Sequence, residues 1–243
     1  PPGSAKSFYC SIVYPTFEVA RDPTQNILAL SASENLGENF SRRRRQILLS
    51  ERWQKLSSTS LTADAQSLVY QGTKEGGGIR TAGAGSIIQG FRADVLIADD
   101  LVAGHEQAGN LTQLDKIWNW YISEARARLR PGGRELMVAT RWALMDPIGR
   151  VLKLTADGDE HWRYIRVPMV CDSDDDPLGR KPGDRLWPEW FTERMVSDAQ
   201  RNPLVWNTLY QQRPAAEEFG WAPAETIHIE THAPKNVVHY IGV

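Results

Sequence analysis

Apolar positions along the chain fall into three short continuous runs, with an amphipathic stretch between two of them. Asn26-Ile27-Leu28-Ala29-Leu30-Ser31 follows the breaker Pro23 and is apolar almost throughout, which predicts a buried strand. Ala93-Asp94-Val95-Leu96-Ile97-Ala98 predicts a second one. It ends at Asp99-Asp100, in the manner of a central parallel strand that delivers carboxylates to its C-terminal edge. Glu135 to Thr140 predicts a third. Before it, Leu114, Ile117, Trp118, Tyr121, Ala125 and Leu129 keep the three-four-seven rhythm of a helix stopped by Pro131-Gly132-Gly133. Strand, helix and strand in that order predict a βαβ unit and a mostly parallel sheet, an α/β fold.

Other stretches are less regular. Phe8, Ile12 and Val13 suit one face of a helix that follows an opening turn. Ser33 is placed to cap a helix with Leu36, Phe40, Ile47 and Leu48 on its apolar side and four arginines, Arg42 to Arg45, across its middle. These arginines wrap most of the way round the helix, so only one or two can share a contact. A solvated face is the simpler expectation, against subunit or DNA-phosphate contact. The glycines between Gly72 and Gly90 predict a mobile loop or tight hairpin, and beyond about Thr155 the periodicity weakens.

Composition narrows the class. With 243 residues, 41% hydrophobic and 24% charged, the chain suits one large domain or one domain with an appendage. A balance of 28 basic against 30 acidic residues argues against coating nucleic acid by bulk charge. Cys10 and Cys171 are far apart, so neither a disulfide framework nor a zinc site is expected, and both read as free thiols in a reducing compartment. No run approaches the roughly 20 apolar residues that span a bilayer, and a signal-peptide pattern is missing from the first residues, so a cytoplasmic location is expected. Of nine Trp, five (Trp162, Trp187, Trp190, Trp206, Trp221) crowd the last third, which suggests a differently built C-terminal part.

Candidate chemistry begins at Gly3-Ser4-Ala5-Lys6-Ser7. A loop of this kind ahead of a helix resembles the end of a phosphate-binding loop, whose N–H groups and helix N-terminus hold phosphate oxygens. Lys6 would reach the β and γ phosphates, and Ser7 would offer a hydroxyl to Mg²⁺, a hard ion that prefers oxygen. Ala5 stands where glycine is usual. Asp99 suits the second, acidic ligand shell of that magnesium, and Asp100 suits activation of an attacking water. Thr140 and Arg141 bring a hydroxyl and a cation to the same edge, with Trp142 as packing. Asp172, Asp174, Asp175 and Asp176, followed by Gly179, read as a solvated turn rather than a metal cluster, and the five histidines never pair at ligand spacing.

Taken in order, residues 1–7, Gly90 to Asp100, Leu129 to Gly133, Ala139 to Trp142, Leu186-Trp187-Pro188 and Tyr210 to Pro214 resemble the large subunit of tailed-bacteriophage terminases, the viral DNA packaging motors. The resemblance implies a P-loop NTPase of the additional-strand (ASCE, RecA-like) class, with Gly3, Ser4, Ala5, Lys6 and Ser7 in Walker A, Asp99 in Walker B and Thr140 in the coupling motif. Many relatives carry Glu after the Walker B Asp; here Asp100 takes that place, and Glu106 in the following loop is the other candidate base. An arginine from a neighbouring subunit would complete the site, with Arg92 first and Arg80 second.

The implied organisation is an ATPase core over 1–160 that begins inside Walker A, a C-terminal subdomain or linker over 161–235, and at 236–243 the first strand of an RNase H-like nuclease domain that lies beyond the chain. ATP and Mg²⁺ are the expected cofactors. Double-stranded DNA, read without sequence preference, the portal protein, the small terminase subunit and further copies in a ring are the expected partners, in the host cytoplasm and transiently at the procapsid portal. Two alternatives are a catalytically inactive docking module and a terminase endonuclease.

Overall fold

A strand buried on both faces must be apolar on both, and the runs at Ile27 to Leu30 and Val95 to Ala98 are; the third, which carries Glu135, lies at the sheet edge and is only half-buried. The computed structural model describes residues 1–214, so Trp221, the end of the expected subdomain and the expected strand at Val237 to Val243 lie outside the described residues. A π-helix, Phe8–Val13, leads into α1 (Tyr14–Arg21) and then β1 (Asn26–Ser31). Next come α2 (Glu34–Leu48), α3 (Glu51–Leu56), and β2 (Leu61–Gln66), β3 (Tyr70–Thr73) and β4 (Gly78–Gly83). After β5 (Ala93–Asp99) follow α4 (His105–Ala108), α5 (Leu111–Trp120), a π-helical and a 3₁₀ turn, and β6 (Leu129–Val138). The remaining helices are α6 (Pro147–Ala156), α7 (Glu193–Gln200) and α8 (Pro203–Val205), the last running into a π-helical turn, Trp206–Tyr210.

The six strands form one sheet in the order β2-β3-β4-β1-β5-β6. Strands β4, β1, β5 and β6 run parallel, and β2 and β3 add an antiparallel edge. Alternation sorts the side chains. Leu28, Leu30, Leu96 and Ala98 face Leu114, Ile117, Tyr121 and Ala125 on one side, while Ile27, Ala29, Ile79, Val95 and Ile97 face Val19 and Leu48 on the other. The protein is therefore a mixed α/β structure whose mostly parallel sheet is flanked by helices.

Several expectations are corrected. Of the two expectations for the glycine-rich segment, the tight hairpin holds and the mobile loop does not: β3 and β4 pair antiparallel, and Gly78–Gly83 is also an inner strand, paired with β1 from Asn26↔Gly78 to Ser31↔Gly83. Its small residues admit close neighbours, and a Cβ at Gly83 would fall 2.5 Å from the Glu34 nitrogen. Of the first helical face only Ile12 is buried, while Phe8 and Val13 are exposed. Helix α2 is buried at Gly37, Ser41, Arg44 and Leu48; of the expected apolar side Leu48 is buried, while Leu36, Phe40 and Ile47 are only half-buried. The reason is close approach: a Cβ on Gly37 would lie 2.7 Å from the Thr81 methyl, so α2 sits on β4 through its smallest residue. Leu129 belongs to β6, opposite Ala93, because the helix ends in tighter turns before it.

Candidate functional site

The C-terminal ends of the parallel strands bring the candidate residues together. Ser31, Asp99 and Val138 are in register there, and the Asp100 N–H donates to the Val138 carbonyl at 2.8 Å. Beside them lies the loop at residues 1–7. Gly3 and Ala5 both take left-handed backbone, at φ 74° and 58°, before the Tyr9 N–H closes onto the Ala5 carbonyl at 3.1 Å and the helix begins. Ser4 Oγ donates to the Pro1 carbonyl at 2.7 Å. Left-handed backbone suits glycine at Gly3 and strains Ala5, which has a Cβ to accommodate.

Lys6 Nζ lies 2.9 Å from Asp100 Oδ2. Asp100 itself has φ 45°, a left-handed conformation that aspartate tolerates better than most, and its Oδ1 accepts the Thr140 N–H at 2.6 Å. Asp99 is 1% exposed. Its Oδ1 accepts from Ser7 Oγ at 3.2 Å and its Oδ2 from Ser11 Oγ at 2.6 Å. Burial pushes the Asp99 carboxyl above its ordinary range and the neighbouring Asp100 adds to that, against the two serine hydrogen bonds and the Lys6 charge, which favour the anion. Burial, reinforced by Asp99, also raises the thiol of Cys10 on the same helix.

Ser7 with Asp99, and Lys6 with Asp100 and Thr140, thus form two bonded sets that adjoin through the Asp99–Asp100 main chain as one group. Glu106 does not join it: it is exposed on α4 and makes no bond to any of these five. Arg92 stands just before β5, at the strand end remote from Asp99, roughly 23 Å away by strand rise. It is exposed and donates to the Ala127 carbonyl at 2.9 Å. Arg80 is mid-strand opposite Leu28, donates to the Gln89 carbonyl at 3.3 Å and lies 5.7 Å over the Phe91 ring.

Arg141 does not present its charge to this edge. It is buried against Asp146, with Nε 3.0 Å from the carboxylate, and Asp146 also caps α6 by accepting the Gly149 N–H at 2.8 Å. Trp142 packs on the core. Nor is the aspartate turn simply solvated: Asp176 pairs with Arg180 at 2.7 Å, and Asp172 with Arg166 and Arg213, while Asp174 and Asp175 are exposed. Among the described residues no group of three His, Cys, Asp or Glu could hold a metal. A hydroxyl and one carboxylate do fit magnesium, which keeps several waters and takes its other ligands from substrate phosphates; Ser7 and Asp99 supply that hard-oxygen pair.

Three residues that the sequence does not assign to the site belong here. Ser11, four residues after Ser7 and on the same helix face, holds the second Asp99 oxygen. Phe191 and Trp190 rest on the loop, lying 3.6 and 3.8 Å from where a Gly3 Cβ would be. The i, i+4 serine spacing is a visible signal for Ser11; nothing local signals Phe191 or Trp190. Among the described residues no helix is long and apolar enough to cross a membrane.

No family model matches this chain, and no curated protein does. Among solved structures it is similar to the crystal structure of the HK97 bacteriophage large terminase, at 13% identity and a TM-score of 0.49. That alignment covers 78% of this chain and 40% of the other, so the chain spans less than half the length of the protein it matches.

Proposed function

We propose that the protein is a P-loop ATPase whose hydrolysis drives double-stranded DNA into a viral procapsid, the motor part of a terminase large subunit. The observation that carries the ATPase reading is the convergence of Lys6, Ser7, Asp99 and Asp100 at the C-terminal edge of a parallel sheet, beside a loop bent by two left-handed residues. The motif order in the sequence supports the packaging role. Magnesium bound at Ser7 and Asp99 would offset charge on the β and γ phosphates.

The chain's own residues account for the rest. Lys6 exchanges its ion pair with Asp100 for the phosphate oxygens. Asp100, released from Lys6 but still anchored through Oδ1 to the Thr140 N–H, accepts a proton from the attacking water as the bond between the γ-phosphorus and the bridging oxygen breaks. Thr140 then feels any movement of Asp100 through its main chain, a route from hydrolysis to the segment leading into α6. Asp100 is favoured over Glu106 as base because Asp100 sits within the group. Arg92 or Arg80 would act on a neighbouring copy in a ring. DNA contact would be to the backbone and therefore salt-sensitive. Portal protein and small subunit are the proposed protein partners.

Mg²⁺-dependent ATP hydrolysis across a protein concentration series, with and without double-stranded DNA, tests this. Turnover that climbs faster than linearly, responds to DNA and vanishes in Asp99→Ala is the expected result. Asp100→Asn abolishing turnover while Glu106→Gln keeps it assigns the base. A parent chain that binds no nucleotide refutes the reading.

A further inference from the structure

Arg44 is the strangest residue in the core. It is 1% exposed, it makes no ion pair among the described residues, and its Nε has no hydrogen-bond partner. Its neighbours Arg42 and Arg43 are exposed, and Arg45 reaches the Gln66 carbonyl at 2.9 Å, so α2 has other places to put cations. Burial without a compensating carboxylate pulls the Arg44 pKa down to about 9. An apolar side chain of similar length would fill the space without that cost. What Arg44 gains is two fixed contacts: Nη1 donates to the Ser11 carbonyl at 2.6 Å and Nη2 to Thr81 Oγ1.

Ser11 is the residue whose hydroxyl makes the shorter of the two serine bonds to Asp99. It lies in the π-helix Phe8–Val13, a widened helical form that is frequent at functional sites. We propose that Arg44 and Ser11 are a positioning pair: Arg44 holds the Ser11 main chain, and Ser11 locks Asp99 Oδ2 so that Oδ1 stays turned toward Ser7 as a metal ligand. The inference rests on the reading of Ser7 and Asp99 as magnesium-binding residues. Without the lock, the Asp99 carboxylate is free to rotate away from Ser7. The rival explanation is a plain staple between α2 and β4 through Thr81, and the two explanations differ in what they predict for the metal.

The test uses the full chain and a fluorescent ADP analogue, with Mg²⁺ titrated at fixed nucleotide so that the Mg²⁺ midpoint is read without turnover. Ser11→Ala is expected to raise that midpoint about tenfold, the size of effect seen when a ligand's hydrogen-bonding partner is lost. Arg44→Met raises it by a smaller factor, and the double variant is no worse than Ser11→Ala alone. Arg44→Lys, which can still reach the carbonyl, recovers part of the loss and stands in if Arg44→Met does not fold. Thr81→Val lowers the melting temperature and leaves the midpoint in place. A parent that binds nucleotide but whose midpoint is unchanged in Ser11→Ala overturns the pair alone, as does a double variant whose effects multiply. A parent that binds no nucleotide at any Mg²⁺ level overturns the nucleotide reading and the pair with it.

Discussion

The sheet and the segment from residue 160 to 214 are held by different forces. In the sheet, β1 and β5 bury apolar residues on both faces and helices cover each side. After α6 the apolar core shrinks to Met169, Phe191 and Val196 with a few half-buried partners. Polar clasps do the remaining work there. Arg126 grips Glu160 with two nitrogens, at 2.5 and 2.8 Å, while also holding Glu135, and it lies 5.7 Å over the Trp162 ring. The Gln211 amide pairs with both main-chain groups of Val170 at 3.0 Å. Burial of apolar area is non-directional and tolerant, whereas each clasp depends on particular atoms, so the second region should loosen piecemeal while the sheet stays cooperative. The residues of the loop at 1–7 draw on both, since Gly3 lies beside Phe191 and Lys6 pairs with the residue after β5.

The hardest way to break the division is at the joint between the regions. Asp146→Ala leaves Arg141 buried and unpaired and uncaps α6, and should cost about 3–5 kcal/mol in denaturant melts. Lys6→Ala belongs to function more than to fold: turnover should drop by about a hundredfold, with the melting temperature nearly unchanged. Arg126→Ala should cost about 1.5–3 kcal/mol. Hydrogen exchange would sharpen the comparison, with faster exchange after residue 160 and β1 protected; equal loosening of β1 would deny the division.

Acid separates the regions next. The Arg180 guanidinium, with two main-chain N–H groups, holds Asp176 at about 2, below its ordinary 3.8. A depressed carboxyl stabilises the fold above the unfolded value, and that contribution fades as pH falls from 3.8 through about 2. Asp176→Asn should flatten this part of the acid limb. Asp99 works the other way: its raised pKa means that ionised Asp99 opposes folding above that pKa, the opposition easing on acidification. The smallest effect expected is at Ala5. Ala5→Gly relieves left-handed strain and should raise stability by about 0.5–1 kcal/mol in denaturant melts.

Periodicity was enough for β1, β5 and the helix through Leu114 and Ile117, because buried strands and amphipathic helices write their environment into adjacent residues. It left β4 open between loop and hairpin and misjudged the packed face of α2, for one reason. Both meet at small residues, Gly37 on one side and the Thr81 methyl on the other, and a close approach leaves a pattern of missing side chains that reads as loop or as solvated face. Arg44 was hidden the same way, as one of four arginines of which it alone is buried.

At the candidate site the chain order carried the chemistry: a lysine and serine at a helix start, and two aspartates at the end of an apolar run, are legible because each belongs to one local element. Which carboxylate meets Lys6, whether Arg141 is free, that Ser11 reaches Asp99 and that Trp190 approaches the loop are settled by the tertiary fold and not by a local pattern. Sequence alone therefore determined the parallel α/β layout and the residue types at its C-terminal edge, since burial and turn chemistry act locally. Tertiary structure decided the pairings, because hydrogen bonds and ion pairs are won by geometry at a few ångströms, and only the packing of α2, the sheet and the Trp-rich segment sets those distances.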